Sequence, residues 1–317
     1  MIDDSRKDIA IKILNNEFGV NPIELKRFTN GYCHSVYYVK LKKDEFVLRI
    51  TGKDNNEYYL GSIKWFSELT ALDIPVPKLI KHGQYNDVYF TIISFINGKD
   101  LGEVYNILDD SQKQNIVKNL SEIQKKVTTI PTMGLYGYPY SDNNNSFSTW
   151  IEYLESLIKR SFERINQNNI FNINICNDVT NIMYKFKNYF LKINPIAFLD
   201  DITTKNVLIH EGKLSGIVDI DEICFGDLLL VIGLTNMALL AMETDTRYID
   251  YWLDEIKADE IQRKVVIFYT LLFCIDFMGE QGMQFDNDKN ITYNQKTIEN
   301  LNCICNELIV KCNGNNI

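Results

Sequence analysis

A change of periodicity near Asn97 constrains the fold of this chain more than any other feature. Before it, short β-like runs recur at 23–28, 35–40, 45–50, 78–82 and 88–96. Turn signals separate them: Asn30-Gly31, Lys42-Lys43-Asp44, Gly52-Lys53-Asp54 and Gly83. One helical pattern interrupts, with apolar Tyr59, Ile63, Phe66 and Leu69 on one face, and it must stop before Pro75-Val76-Pro77. After Asn97-Gly98 the period becomes helical. Asp110-Ser111 is placed to cap a helix whose inward face is Ile116, Leu120, Ile123 and Val127. Residues 131–147 are rich in Gly, Pro, Asn and Ser and read as a loop. Helical patterns then fill 148–191 and 227–312. Strands and helices in separate blocks predict an α+β fold with two lobes, 1–96 and 97–317, rather than a wound parallel sheet.

The remaining composition narrows the function. Of 317 residues, 45% are hydrophobic and 24% charged, which suits a folded chain and not a disordered one. Lys and Arg number 33 against 42 Asp and Glu, a net charge of -9. A nucleic-acid partner calls for a basic face, so none is expected; a cationic small molecule is the better match. The N-terminus is polar, and the apolar runs at 228–242 and 265–274 fall short of the ~18 residues of a membrane span. Both read as buried helices, and a cytoplasmic protein without a membrane partner is expected. The seven cysteines form no C-x-x-C pair, and none of the three histidines lies near Cys303, Cys305 or Cys312. Reduced thiols are expected, with no zinc site.

One β-like exception lies inside the helical half. Residues 206–210 and 214–220 alternate as two short strands around Glu211-Gly212-Lys213. If His210 faces Leu214, Asn206 falls opposite Val218, and opposed residues in a ladder lie about 5 Å apart. Asn206 and Asp219 then leave the same open end of the hairpin, and Asp201 sits in the loop that enters it. Magnesium prefers such hard oxygen donors and keeps waters for phosphates. A further carboxylate, off the metal, can accept a proton from a hydroxyl. Spacing alone equally allows turn residues and a strand-end cap.

The segment 199–208, Leu-Asp-Asp-Ile-Thr-Thr-Lys-Asn-Val-Leu, resembles the catalytic loop of the aminoglycoside phosphotransferase and choline kinase superfamily, H-x-D-x4-N followed by apolar residues. Gly216-Ile217-Val218-Asp219-Ile220-Asp221-Glu222 is similar to that family's metal-binding strand, and Phe225-Gly226-Asp227 to the G-D that opens the next helix. The segment is most similar to hygromycin phosphotransferases. The resemblance implies a kinase-like fold, a small antiparallel β lobe and a larger helical lobe. It implies ATP or GTP with Mg²⁺ as cofactors, Asp201 as the catalytic residue, and Asn206 and Asp219 as metal ligands. In the N-terminal half, 30–37 resembles the nucleotide-covering loop and 47–50 the strand whose cation, here Arg49, holds phosphates. Residues 90–98 resemble the hinge, where the Ser94 carbonyl and Ile96 amide would meet the base. No Walker or Rossmann glycine motif is present.

The sequence departs from that pattern in three places. Leu199 stands where the family has His, and Asp200 where it has Gly. The helix that usually supplies a Glu to the phosphate-binding cation has Ser62 there, with Glu57 and Glu68 out of register. If Asp200 and Asp201 approach each other, one carboxyl rises in pKa. Asp227 is expected to cap the helix that follows it. Asp221 and Glu222 are candidates to face the acceptor. Asp276 and Glu280, an i, i+4 pair after an apolar run, are candidates to bind its ammonium groups. The expected reaction moves the γ-phosphoryl group to a hydroxyl of a small amine-bearing molecule, an aminoglycoside first. A metabolic small-alcohol kinase (choline, homoserine or a sugar) and an inactive nucleotide-binding pseudokinase are the alternatives.

Overall fold

The computed structural model describes residues 6–28, 34–139, 146–283 and 294–314. The loop residues Asn30 to Cys33 and the late carboxylates Asp286 and Asp288 lie outside them. Two compact units emerge. The first takes in residues up to Gly98 together with Ser215–Glu222; the second takes in Lys99–Leu214, Ile223–Met283 and the described C-terminal residues.

The first unit opens with helix α1 (Lys7–Phe18), which the sequence reading missed in treating this stretch as a polar lead-in. Its buried Ala10, Ile13 and Leu14 keep a helical spacing among Lys and Asn, too short a stripe to stand out. Strands β1 (Glu24–Arg27), β2 (His34–Lys40) and β3 (Glu45–Gly52) follow, then helix α2 (Asn56–Ala71), then β4 (Leu79–Tyr85) and β5 (Val88–Ser94). They form an antiparallel sheet in the order β1-β2-β3-β5-β4. Alternation sorts its faces. Tyr37, Val39, Phe46, Leu48, Ile50 and Ile92 share one core with α1. Arg49 therefore points to the other face, where its guanidinium carbon lies 5.8 Å from the ring centre of Phe66 on α2.

The second unit begins with β6 (Lys99–Asp100), α3 (Leu101–Val104) and α4 (Asp110–Val127). The cap of α4 is Asp109, one residue earlier than expected, in a capping box with Gln112. Short strands β7 (Tyr136–Gly137) and β8 (Ser146–Phe147) occupy the predicted loop. Then come α5 (Trp150–Asn168), α6 (Asn174–Lys185), α7 (Lys187–Phe190) and β9 (Ile196–Phe198). The hairpin is β10 (Val207–His210) and β11 (Lys213–Ile217), turned by Glu211 and Gly212, both at positive φ as a type I′ turn requires. The second strand thus starts one residue before Leu214. It stops at Ile217 rather than Ile220, because Asp219 is left-handed at φ 60° and cannot continue a strand. β12 (Cys224–Gly226) pairs with β7 and β9. Helices α8 (Leu229–Ala241), α9 (Arg247–Glu255), α10 (Glu260–Glu280) and α11 (Gln295–Asn313) complete the unit. Helix α10 packs on α5, α8, α11 and α6. Both apolar runs of the sequence are such buried helices. Among the described residues no helix is long and apolar enough to cross a membrane.

Candidate functional site

In the first unit the chemistry gathers on the face of β3 opposite α1. Arg49 is 4% exposed. Its Nη1 donates to Asp221 Oδ1 at 2.8 Å and its Nη2 to Asp221 Oδ2 at 2.6 Å, a two-pronged charge-assisted pair. Nη2 also donates to Asp219 Oδ1 at 3.2 Å. His34 Nε2 donates to Asp221 Oδ2 at 2.7 Å, and its Nδ1 pairs with Thr51 Oγ1 at 2.8 Å. The Ser62 hydroxyl bonds Asp221 Oδ1. Burial would raise the Asp221 carboxyl, but Arg49 and His34 outweigh it and hold it well below the usual carboxylate range. Asp219 differs. Its side chain is 53% exposed. What burial it has, and the charge of Asp221, push its carboxyl up against the pull of Arg49 and His34. Asp219 also holds a left-handed backbone, a conformation that costs of order 1–3 kcal/mol outside glycine and clusters at functional sites.

Ligand atoms of His34, Asp219 and Asp221 lie within 4.8 Å of one another. Both oxygens of Asp221 already face the guanidinium, so the carboxylate turned to solvent is that of Asp219. Its charge beside Asp221 is one that a divalent cation would offset, and the donor is a hard oxygen of the kind magnesium takes. Ser94 and Ile96 are both half-buried at the end of β5. The Ser94 amide bonds the Lys78 carbonyl, and its hydroxyl accepts the Lys78 amide at 2.8 Å. Ile96 packs on Gly216, where an added Cβ would lie 2.6 Å from Ile96 Cδ1. Glu222 is half-buried.

In the second unit the loop before β10 is pinned from three sides. The buried Gln124 amide on α4 donates to the Leu199 carbonyl at 2.7 Å and accepts the Leu199 amide at 3.0 Å. The Gly102 amide holds the Thr204 carbonyl at 2.8 Å, and the Thr204 hydroxyl meets Met242 Sδ. Within the loop Asp201 is exposed, and its Oδ1 accepts the Thr203 hydroxyl at 3.0 Å. Asn206 is buried, and its Nδ2 donates to the Asp201 carbonyl at 2.9 Å. Asp200 takes a different partner, the Tyr138 hydroxyl. Burial first, then the Asp200 charge, raise that phenol well above its ordinary value. Gln124 escaped the sequence reading. Its signal was a polar residue on the inward face of α4, four residues after Leu120.

The remaining candidates lie elsewhere in the second unit. Asp227 stands one residue before Leu228, the N-cap position of α8; it accepts the Leu229 amide at 3.1 Å and also the hydroxyls of Tyr189 and Tyr269. Asp276 is held by Arg160 at 3.0 Å and Arg164 at 3.2 Å. Glu280 reaches Arg164 at 4.0 Å, and burial, then Asp276, push its carboxyl up to about 6.

Residues 24–155 match the model of the phosphotransferase enzyme family. Among curated proteins no significant sequence match is found. Solved structures are similar over nearly the whole chain. A thermostable mutant of the aminoglycoside phosphotransferase APH(4)-Ia, in ternary complex with AMP-PNP and hygromycin B, is 13% identical with TM-score 0.62, covering 96% of each chain. The ADP-bound aminoglycoside phosphotransferase APH(2'')-Ib is 13% identical with TM-score 0.64, covering 96% of this chain and 99% of its own. A Haemophilus somnus protein named as a fructosamine-3-kinase is 14% identical with TM-score 0.65, covering 93% and 96%. At these identities the likeness is one of fold. The chain has the α+β, kinase-like fold of these solved phosphotransferases, the fold that the motifs in 199–227 implied.

Proposed function

We propose that this chain, with a phosphotransferase-type kinase fold, is an ATP- and Mg²⁺-dependent O-phosphotransferase acting on a hydroxyl of a small amine-bearing molecule, an aminoglycoside first. The observation that carries this reading is Arg49 held beside Asp219: a fixed strand cation next to a solvent-facing carboxylate. Arg49 would meet the phosphates, Asp219 and Asn206 would hold magnesium, and Ser94 and Ile96 would meet the base. Magnesium, when bound with the nucleotide, neutralises charge on the phosphate oxygens. Asp201 would orient the acceptor hydroxyl and take its proton as the new O–P bond forms and ADP leaves. Positioning and electrostatics supply nearly all of such catalysis.

Two contacts beside the departures that open the inactive reading support activity. Gln124 holds the backbone of Leu199, and Asp221 pairs with Arg49 where Ser62 offers no charge. One observation favours a less cationic acceptor, as a metabolic small-alcohol kinase would use. Asp276, a preferred ammonium site, is already neutralised by two arginines. A thermal-shift screen of aminoglycosides and small amino alcohols, with and without Mg-ATP, followed by transfer of radiolabelled phosphate, separates the classes. Asp201→Ala is expected to cut turnover by about 10²- to 10⁴-fold with nucleotide affinity little changed. Equal loss of both assigns Asp201 a structural role. Mg-ATP binding without transfer to any acceptor favours the inactive reading.

A further inference from the structure

A buried guanidinium needs a counter-charge and a fixed direction. For Arg49 the counter-charge comes from an unexpected element. Helix α2 places Ser62 beside it, with Nη1 at 3.2 Å from the hydroxyl. Glu68 of the same helix pairs instead with Lys64 at 3.5 Å. The carboxylate is Asp221, two residues beyond Asp219 and 9% exposed.

Three N–H groups and one hydroxyl surround its two oxygens: Arg49 Nη1 and Ser62 Oγ at Oδ1, Arg49 Nη2 and His34 Nε2 at Oδ2, the single Ser62 proton being shared with the Tyr58 carbonyl. An ionised carboxylate offers about four lone-pair sites, and the three N–H bonds on both of its oxygens fix its orientation. The space is made by Gly61. An added Cβ there would stand 2.1 Å from the Asp221 carbonyl oxygen, so the helix reaches this segment only without a side chain. The small residues Gly61 and Ser62 and the large charge of Asp221 are therefore complementary. A carboxylate on the helix would collide with the one already present.

We propose that Asp221 is the positioning residue of the phosphate-binding cation. Its two-pronged grip aims the Nη2 edge of Arg49 at Asp219 and does the work a helix carboxylate at position 62 would otherwise do. The proposal rests on the phosphotransferase reading and adds the residue that orients its cation. In this arrangement cation and metal-side carboxylate are tied to one short segment, 219–221. The helix contributes the neutral Ser62 hydroxyl.

The test moves the charge rather than only deleting it. The full-length chain is compared with Asp221→Asn, Asp221→Ser, and Asp221→Ser combined with Ser62→Glu. Three readouts are taken: thermal unfolding, rotation of the Arg49 guanidinium by NMR, and Mg-ATP affinity by calorimetry. Asp221→Asn is expected to free the guanidinium and weaken Mg-ATP binding by about 10- to 100-fold, the scale of losing an orienting partner. The double variant is expected to slow the rotation again and recover most of that affinity, which a merely structural role for Asp221 would not produce. If Asp221→Asn binds as wild type does, or a folded double variant binds no better than Asp221→Ser, the positioning role is overturned while the phosphotransferase reading stands. If the wild-type chain binds no Mg-ATP, the phosphotransferase reading falls, and this proposal with it.

Discussion

At the scale of single residues, two buried or half-buried groups do work that their type alone does not announce. Gln124 is 1% exposed and closes both backbone groups of Leu199. Gln124→Leu keeps the volume but strands a buried amide and a buried carbonyl, at about 1–3 kcal/mol for each unpaired group. Urea unfolding should register a loss of roughly 2–6 kcal/mol on that scale. Turnover should fall further than nucleotide affinity, since the loop that carries Asp201 loses a tether. An unchanged midpoint would mean that water replaces the clamp. Glu280 gives a pH-dependent case. Its folded carboxyl sits at about 6 against an ordinary value near ~4.3, so the folded state holds the proton more tightly. Below that ordinary value both states are protonated and nothing is lost. As pH rises to about 6 the unfolded chain ionises first, and stability falls. Glu280→Gln should therefore be the more stable protein at pH 7 and its equal near pH 4. The side chain is 41% exposed, so solvent screening limits the gain to a few tenths of a kcal/mol, roughly the scale of surface pairs. A variant less stable at pH 7 would show that the Arg164 contact outweighs burial.

At the scale of elements, helix α2 carries a glycine whose replacement reverses a common rule. Gly→Ala inside a helix normally gains up to ~1 kcal/mol. At Gly61 the new methyl would meet the Asp221 carbonyl oxygen at 2.1 Å, against backbone that cannot swing aside. Gly61→Ala should lower the melting temperature and release the Arg49 guanidinium, whereas a helix with slack at this point would tolerate it. Such contacts mark the limit of what a linear reading finds. The sheet of the first unit was legible, because Tyr37, Val39, Phe46, Leu48 and Ile50 alternate with half-exposed or polar neighbours over whole strands. Helix α1 was not, since three buried residues among Lys and Asn make a weak stripe. The end of β11 at Ile217 was hidden too. A left-handed Asp219 leaves the alternation intact and changes only a dihedral angle. For the candidate site, short spacings together with the family resemblance put forward Asp201, Asn206 and Asp219. The contacts around the candidate site are long-range: Gln124 to Leu199 spans 75 residues, and Arg49 to Asp221 spans 172. No local pattern encodes such a pair.

At the scale of the whole molecule, the net charge of -9 acts on every ligand before any contact forms. Its field attracts a polyamine-like acceptor and repels Mg-ATP, which carries net negative charge of its own. Salt shortens the reach of both effects, from about 30 Å at 0.01 M to about 8 Å at 0.15 M. The pair beside Arg49 is buried and is screened far less than surface charges are. The two ligands should thus answer salt in opposite senses. Across that range the KM for a cationic acceptor should rise several-fold, on the order expected for steering by surface charge. The KM for Mg-ATP should hold steady or fall, because salt removes a distant repulsion and leaves Arg49 intact. Steady-state titrations of each ligand at three or four salt concentrations decide it. If the acceptor's KM ignores salt, the molecule phosphorylated is not a multiply charged cation, and a neutral alcohol or sugar becomes the better candidate. If the KM for Mg-ATP climbs steeply with salt, exposed cations bind the phosphates, and the buried Arg49 is not their principal partner.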